Sequence, residues 1–280
     1  MILDGKKIAA EIRREVAADV ALRPKGRRAP CLAVFQVGDD PASCVYVRNK
    51  QKACEEVGIR FLHVRQPESI SRFSLEALLV HYSRDRDDVD AILLQLPVPG
   101  VVDESRLLDY IAPEKDADGL TSYHAALLQR GRASVAPCTP AGVMELLRRY
   151  HVPIEGKRCV VVGRSDIVGK PMANMLLNAN GTVTICHSRT ENLAEICREA
   201  DILVSAVGKP RFITADMVKP GACVVDVGIN RTGGKLCGDV DFAAVEPIAG
   251  YITPVPGGVG AMTVAMLLRN VVKLAKNAGW

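Results

Sequence analysis

The sequence predicts an α/β fold of two lobes, each an open parallel sheet with helices on its faces. Three observations carry that prediction. Short apolar runs alternate with helix-patterned segments, the alternation comes in two successive series, and a glycine-bounded strand-to-helix turn opens the second series. The chain has 280 residues and 48% hydrophobic content, enough length for two ordinary domains and enough apolar side chains to give each a core.

Ile8, Ile12, Val16 and Val20 recur at helical spacing with charges between them, so the chain opens on a helix with one apolar face. The runs CLAVFQV (31–37), IRFLHV (59–64) and AILLQLP (91–97) read as buried parallel strands, with helices near 41–57 and 71–83 between them. That is a βαβαβ unit. The run RDRDDVD (84–90) reads as a solvated turn before the third strand. A helix near 141–150 leads into four further strands, at 158–163, 182–188, 201–208 and 222–228. The seam falls near 120–139, giving an expected first domain over 1–120 and a second, Rossmann-like domain over 121–261. The last helix, 262–277, follows a Gly/Pro-rich loop and is expected to return to the first lobe.

A formal charge of +4 and a pI near 8.6 suit an anionic small molecule, but the chain lacks the dense Lys/Arg blocks of a nucleic-acid binder. The nine cysteines stand singly with no C-x-x-C pair, which reads as buried reduced thiols and no metal site. The N-terminal segment is charged and amphipathic, and no stretch approaches the ~18 apolar residues of a membrane span. A cytoplasmic protein without membrane or nucleic-acid partners is expected.

Gly163 ends the first strand of the second series, and GRSDIVGKP then leads into a helix. A helix N-terminus at the sheet's C-terminal edge offers free N–H groups to phosphate. The spacing is not G-x-G-x-x-G, so a purely structural turn stays open. The next strand ends in His187, Ser188, Arg189 and Thr190, where an NAD site would carry an acidic residue. A hydroxyl and a guanidinium there suit the extra phosphate of NADP, with Arg164 as a second cation. Arg189 also reads as a plain surface arginine. Ile229, in DVGIN, could offer a backbone group to the nicotinamide half, and the GGVG glycines (257–260) serve either ligand approach or tight packing.

In the first lobe, Tyr46 and Lys50 stand at i, i+4 and share a helix face. Gln95 terminates the third strand, ahead of two prolines. A phenol, an amine and an amide thus come to one sheet edge. Spacing alone leaves Lys50 readable as a solvated helix lysine and Tyr46 as a packing residue. Asp116 and Asp118 read equally as turn formers beside Gly119.

Taken together, VGDDPASCVYVRNKQKACEEVGI, LLQLPVP, PEKDADGLT, PCTPAGV, GRSDIVGKPMA, CHSRT, ADILVSAVGKP, DVGIN, GDVDF and YITPVPGGVGAMTVAMLL resemble, in order and spacing, the bifunctional methylenetetrahydrofolate dehydrogenase/cyclohydrolases. The resemblance runs essentially from end to end. It implies a catalytic first lobe, an NADP-binding second lobe, a folate cleft between them and a homodimer formed through the nucleotide lobe. It also implies Lys50 as catalytic lysine, Tyr46 as its stacking tyrosine, Gln95 as its partner and Asp118 as the pterin-gripping aspartate. Cofactor contacts are implied at Gly163, Arg164, Ser165, Ser188 and Ile229. The activity implied is oxidation of 5,10-methylenetetrahydrofolate with NADP and hydrolysis of the methenyl product. Lys50 would shuttle the protons of that hydrolysis, which requires its pKa to fall toward neutrality. Rival readings are an enzyme with only one of the two activities and a non-enzymatic nucleotide sensor. A sensor would need the second lobe alone. The family's valine between the aspartates is Ala117 here, and its proline after GGVG is Ala261, so looser loop order is expected at both points.

Overall fold

The computed structural model describes residues 1–100 and 104–280. Helix α1 (Gly5–Ala21) buries Ile8, Ile12, Val16 and Val20 on one face. Strand β1 (Cys31–Val37) is followed by α2 (Pro41–Val57), β2 (Arg60–Gln66), α3 (Arg72–Arg84) and β3 (Ala91–Leu94). The three strands make a parallel sheet in the order β2-β1-β3. Alternate β1 residues Cys31, Ala33, Phe35 and Val37 pack with Leu75 and Leu79 of α3 and with Ile92 and Leu94 of β3. Burying a side chain such as Phe35 or Leu79 contributes roughly 1.5–3 kcal/mol. Helix α2 is defined at both ends. Asp40 accepts the Ser43 N–H, Pro41 stands in the first turn, and Gly58, at φ +79°, donates to the carbonyls of Cys54 and Glu55.

Two short helices follow, α4 (Glu104–Leu108) and α5 (Ser122–Gln129), the second capped by the Thr121 side chain. Helix α6 (Cys138–Arg149) then precedes β4 (Arg158–Val162), α7 (Gly169–Asn178), β5 (Thr182–Cys186), α8 (Leu193–Arg198), β6 (Ile202–Ser205) and β7 (Cys223–Asp226). Strands β8 (Asn230–Thr232) and β9 (Lys235–Cys237) form an antiparallel hairpin. The chain ends through α9 (Phe242–Val245), β10 (Tyr251–Ile252) and α10 (Val259–Asn277). The second sheet is parallel throughout, in the order β10-β7-β6-β4-β5.

Several elements differ from the sequence expectation. The run at 59–64 is not a buried strand: β2 lies at a sheet edge, and along it only Val64 is buried. Residues 95–97, 206–208 and 227–228 lie beyond the ladders, because parallel pairing ends at Leu94, Ser205 and Asp226. The turn at 84–90 is not simply solvated. Asp90 is buried, and its carboxylate accepts from Arg28 (2.5 and 3.0 Å) and from the Cys31 N–H (2.7 Å). The β8–β9 hairpin and β10 escape sequence periodicity because strands of two or three residues are too short to show a period.

The chain divides into two compact units, one of Met1–Ala10 and Pro137–Thr263 with the five-stranded sheet, the other of Glu11–Ala136 and Val264–Trp280 with the three-stranded sheet. This division departs from a line at 120/121. Thr121 and Ser122 donate their N–H groups to Asp116 and Asp109, which ties α5 to the chain before it. Residues 1–4 join the second sheet, with the Leu3 N–H on the Ile252 carbonyl and the Asp4 N–H on the Tyr150 hydroxyl. All nine cysteines are free and seven are buried. Among the described residues, no helix is long and apolar enough to cross a membrane.

Candidate active site

In the three-stranded unit, parallel pairing brings the C-termini of β1 and β3 to one edge, where α2 also begins. The Gln95 N–H continues the register for one residue, bonding the Phe35 carbonyl at 2.8 Å. Its side-chain Nε2 donates to the Leu96 carbonyl (2.7 Å), so the amide oxygen is the end turned toward Lys50. Lys50 Nζ, half-buried, donates to that Oε1 at 2.8 Å. Tyr46 lies one turn earlier on the same face of α2 and is 41% exposed, a phenol ring open to stacking.

Asp118 is positioned by the segment just before it. Asp116 forms a parallel bridge with Ile92, and the Ala117 N–H bonds the Ile92 carbonyl (3.1 Å). Beyond that bridge the chain turns, with the N–H groups of Asp118 and Gly119 folded back onto the Asp116 carboxylate. Asp116 is more than a turn former. It is buried, and its carboxylate accepts the N–H groups of Asp118 (3.2 Å), Gly119 (2.9 Å) and Thr121 (2.9 Å), while burial pushes its pKa up. Ala117 is fully buried, with its carbonyl bonded to Asn270 Nδ2 (3.0 Å), so the loss of the valine methyls leaves the backbone ahead of Asp118 anchored.

Sequence reasoning passed over a polar set in the same unit. Buried Gln36 donates to Cys44 Sγ (3.1 Å) and the Gly38 carbonyl (3.1 Å), and its Oε1 meets His63 Nε2 (3.0 Å). Burial pushes the His63 pKa down. These residues sit 8 and 27 positions from Gln36, so no local motif announces them.

In the five-stranded unit the cofactor candidates gather at the sheet's C-terminal edge. Gly163, at φ +129°, follows β4, and a Cβ there would stand 2.3 Å from the Ala206 carbonyl oxygen. Arg164 and Ser165 are exposed. Ser165 Oγ accepts the N–H groups of Val168 (3.2 Å) and Gly169 (3.3 Å), capping α7 from its own loop. Because Val162 pairs with Cys186, the turn after β5 lies beside this one. There the Thr190 hydroxyl accepts the His187 N–H (2.8 Å) and His187 Nδ1 accepts the Arg189 N–H (3.2 Å), leaving the Ser188 and Arg189 side chains exposed. Residues 187–190 carry no carboxylate. Ile229, 46% exposed, follows β7. In the GGVG segment, a Cβ on Gly258 would meet the Pro254 carbonyl oxygen at 2.6 Å, so close packing accounts for that glycine.

This edge fits a phosphorylated dinucleotide. A helix N-terminus, two exposed guanidinium groups and a serine hydroxyl stand on adjacent turns. The glycine of the first turn lets backbone pass where a side chain would block it. Lys50 and Gln95 are in contact, Tyr46 shares the helix face of Lys50, Asp118 follows the Asp116 bridge to β3, and Gly163, Arg164, Ser165, Ser188 and Arg189 share two neighbouring turns. Ile229 stands apart from those turns by the width of β6.

Residues 3–118 match the family described as tetrahydrofolate dehydrogenase/cyclohydrolase, catalytic domain, and residues 137–279 match its NAD(P)-binding domain. The chain is similar to the bifunctional protein FolD of Desulfovibrio desulfuricans, at 55% identity over 98% of this chain and 97% of that one. Its fold matches the FolD methylenetetrahydrofolate dehydrogenase/cyclohydrolase of Campylobacter jejuni with a TM-score of 0.96 and 47% identity, covering 99% of both chains. A Trypanosoma brucei enzyme of the same name, solved with NADP cofactor and an inhibitor, matches with a TM-score of 0.94 and 40% identity, covering 100% of this chain and 98% of that one.

Proposed function

The chain belongs to the tetrahydrofolate dehydrogenase/cyclohydrolase family, and from that premise we propose which of its residues carry the two activities. It is an NADP-dependent enzyme that oxidises 5,10-methylenetetrahydrofolate to the methenyl form and hydrolyses that product to 10-formyltetrahydrofolate. The folate chemistry belongs to the unit of the three-stranded sheet and cofactor binding to the unit of the five-stranded sheet.

Oxidation removes a hydride from the methylene carbon and leaves a methenyl cation; bound NADP supplies the hydride acceptor. Hydrolysis then adds water to that carbon. One proton must leave the water, and one must reach the ring nitrogen whose bond to the carbon breaks. Lys50 moves both. Gln95 orients the amine through its amide oxygen, and the 2.8 Å contact between them is the observation that carries this assignment. Tyr46 stacks on the pterin. Asp118 accepts hydrogen bonds from the amino-pyrimidine edge, a charge-assisted contact worth roughly 1.5–3 kcal/mol. Arg164 and Ser165 bind phosphate beside the Gly163 turn, Ser188 and Arg189 hold the 2′-phosphate, and the backbone of Ile229 meets the nicotinamide amide.

The functional unit is a homodimer formed through the nucleotide-binding unit. In support, β5 is an edge strand, with Thr182, Thr184 and Ile185 exposed and Leu177 of α7 also exposed. The reading also assigns the enzyme to the cytoplasm, where nine free thiols stay reduced.

Two spectrophotometric assays test the activity. With methylenetetrahydrofolate, nicotinamide reduction should be faster with NADP than with NAD. With methenyltetrahydrofolate alone, absorbance should decay above the buffer rate. Loss of either signal would reduce the enzyme to one activity, and loss of both would overturn the reading.

A further inference from the structure

Asp226 and Asp239, which the proton transfers do not use, lie beneath the cofactor rim, 3% and 0% exposed. Asp226 ends β7 and Asp239 follows β9 by two residues. Asp226 Oδ1 accepts the N–H groups of Gly228 (2.9 Å) and Asp239 (2.9 Å), and its Oδ2 accepts that of Val240 (2.8 Å). Asp239 Oδ1 accepts the Lys209 N–H (2.9 Å) and Asn230 Nδ2 (2.9 Å). Its Oδ2 accepts the N–H groups of Val207 (2.7 Å) and Gly208 (3.1 Å) and the Ser205 hydroxyl (3.3 Å).

The fit is reciprocal. A Cβ on Gly228 would fall 2.1 Å from Asp239 Oδ1, and one on Gly238 would fall 1.8 Å from Asp226 Oδ2, so each carboxylate occupies the space a side chain on the other's segment would need. Every carboxylate oxygen faces donors, a load that an amide, with an NH₂ on one side, cannot carry. Ile229 is thereby bracketed: Asp226 holds the residue before it and Asp239 holds the residue after it. Asp239 also holds the 207–209 turn at the end of β6.

We propose that Asp226 and Asp239 are a positioning pair which fixes the Ile229 backbone and the 207–209 turn against the nicotinamide end of the cofactor, and so governs hydride transfer without governing methenyl hydrolysis. The proposal rests on the assignment of Ile229 as a cofactor contact and on the family's two activities. A pair that merely holds the fold together would, when weakened, reduce both activities in step with the folded fraction. A positioning pair separates them.

Asn230→Ala removes one donor from Asp239 and leaves both carboxylates in place. Its NADP-dependent oxidation should fall roughly tenfold in kcat/KM, in line with loss of a hydrogen bond to a charged group. Methenyl hydrolysis measured without NADP, well below the melting temperature, should stay within about twofold of wild type, with a melting temperature lowered by only some degrees and roughly tenfold weaker NADP binding by calorimetry. Asp239→Asn should widen the same split to roughly a hundredfold; if that variant does not fold, Asn230→Ala decides alone. Parallel loss of both activities in Asn230→Ala, or unchanged oxidation and NADP affinity, would overturn the proposal. Should the wild-type chain prove inactive in both assays, the functional reading fails, while NADP calorimetry on Asn230→Ala still judges the pair.

Discussion

At the edge of the three-stranded sheet, Lys50 and Gln95 meet through side chains, and the proposed chemistry belongs to an amine and an amide. At the edge of the five-stranded sheet the proposed contacts are backbone, and carboxylates buried beneath the surface hold the residues on either side of Ile229. The first edge depends on residue identity at a few exposed or half-buried positions. The second depends on backbone geometry, so its decisive residues are ones no ligand need touch. Substitutions should separate the two edges cleanly.

Apart from loss of the Lys50 amine itself, the largest expected effect is on stability and arises at the second edge. Burial, opposed by three N–H bonds, moves the Asp226 pKa from 3.8 up to about 6. Between those values the folded chain holds a proton that the unfolded chain has released. The stabilisation is therefore fully present below about pH 4 and is lost as pH rises through 6, a difference of roughly 3 kcal/mol. Urea unfolding of wild type and Asp226→Asn at pH 4 and 6.5 checks this: the wild-type free energy should fall more steeply, and equal slopes would reject a protonated Asp226.

Gln95→Ala acts at the first edge. It removes a hydrogen bond to a charged amine, roughly 1.5–3 kcal/mol, and should lower kcat for both activities by about ten- to a hundredfold. NADP affinity should not move, and a shift in it would blur the distinction between the edges. The smallest effect belongs to Arg189→Ala. NADP binding should weaken roughly tenfold, as expected for one exposed charge-assisted contact, while NAD binding stays level. Calorimetry with each nucleotide reads this directly, and equal losses would remove Arg189 from the phosphate site.

The same contrast explains what the sequence made legible. The alternation of apolar runs with helical patterns located α1, β1, α2, α3, β3 and the long strands of the second sheet, because each exceeds one period of its own repeat. Tyr46, Lys50 and Gln95 were readable as candidates because their chemistry is written in residue type and local spacing. Spacing alone left them readable as surface or packing residues, and the family resemblance supplied their roles. Asp226 and Asp239 left no such trace. They are 13 positions apart, and their partners, at 205–209 and 228–240, come together only when β6 and β7 pair. Asp90 was misread for the same reason, since its partner Arg28 lies 62 positions away.

The central claim is that the amine of Lys50 carries the protons of methenyl hydrolysis. Hydrolysis of methenyltetrahydrofolate by Lys50→Met, measured without NADP and beside NADP calorimetry on the same sample, tests it most directly. The expected result is a rate reduced by roughly 10²–10⁴ toward the buffer rate, with unchanged NADP affinity. Hydrolysis at the wild-type rate would contradict it.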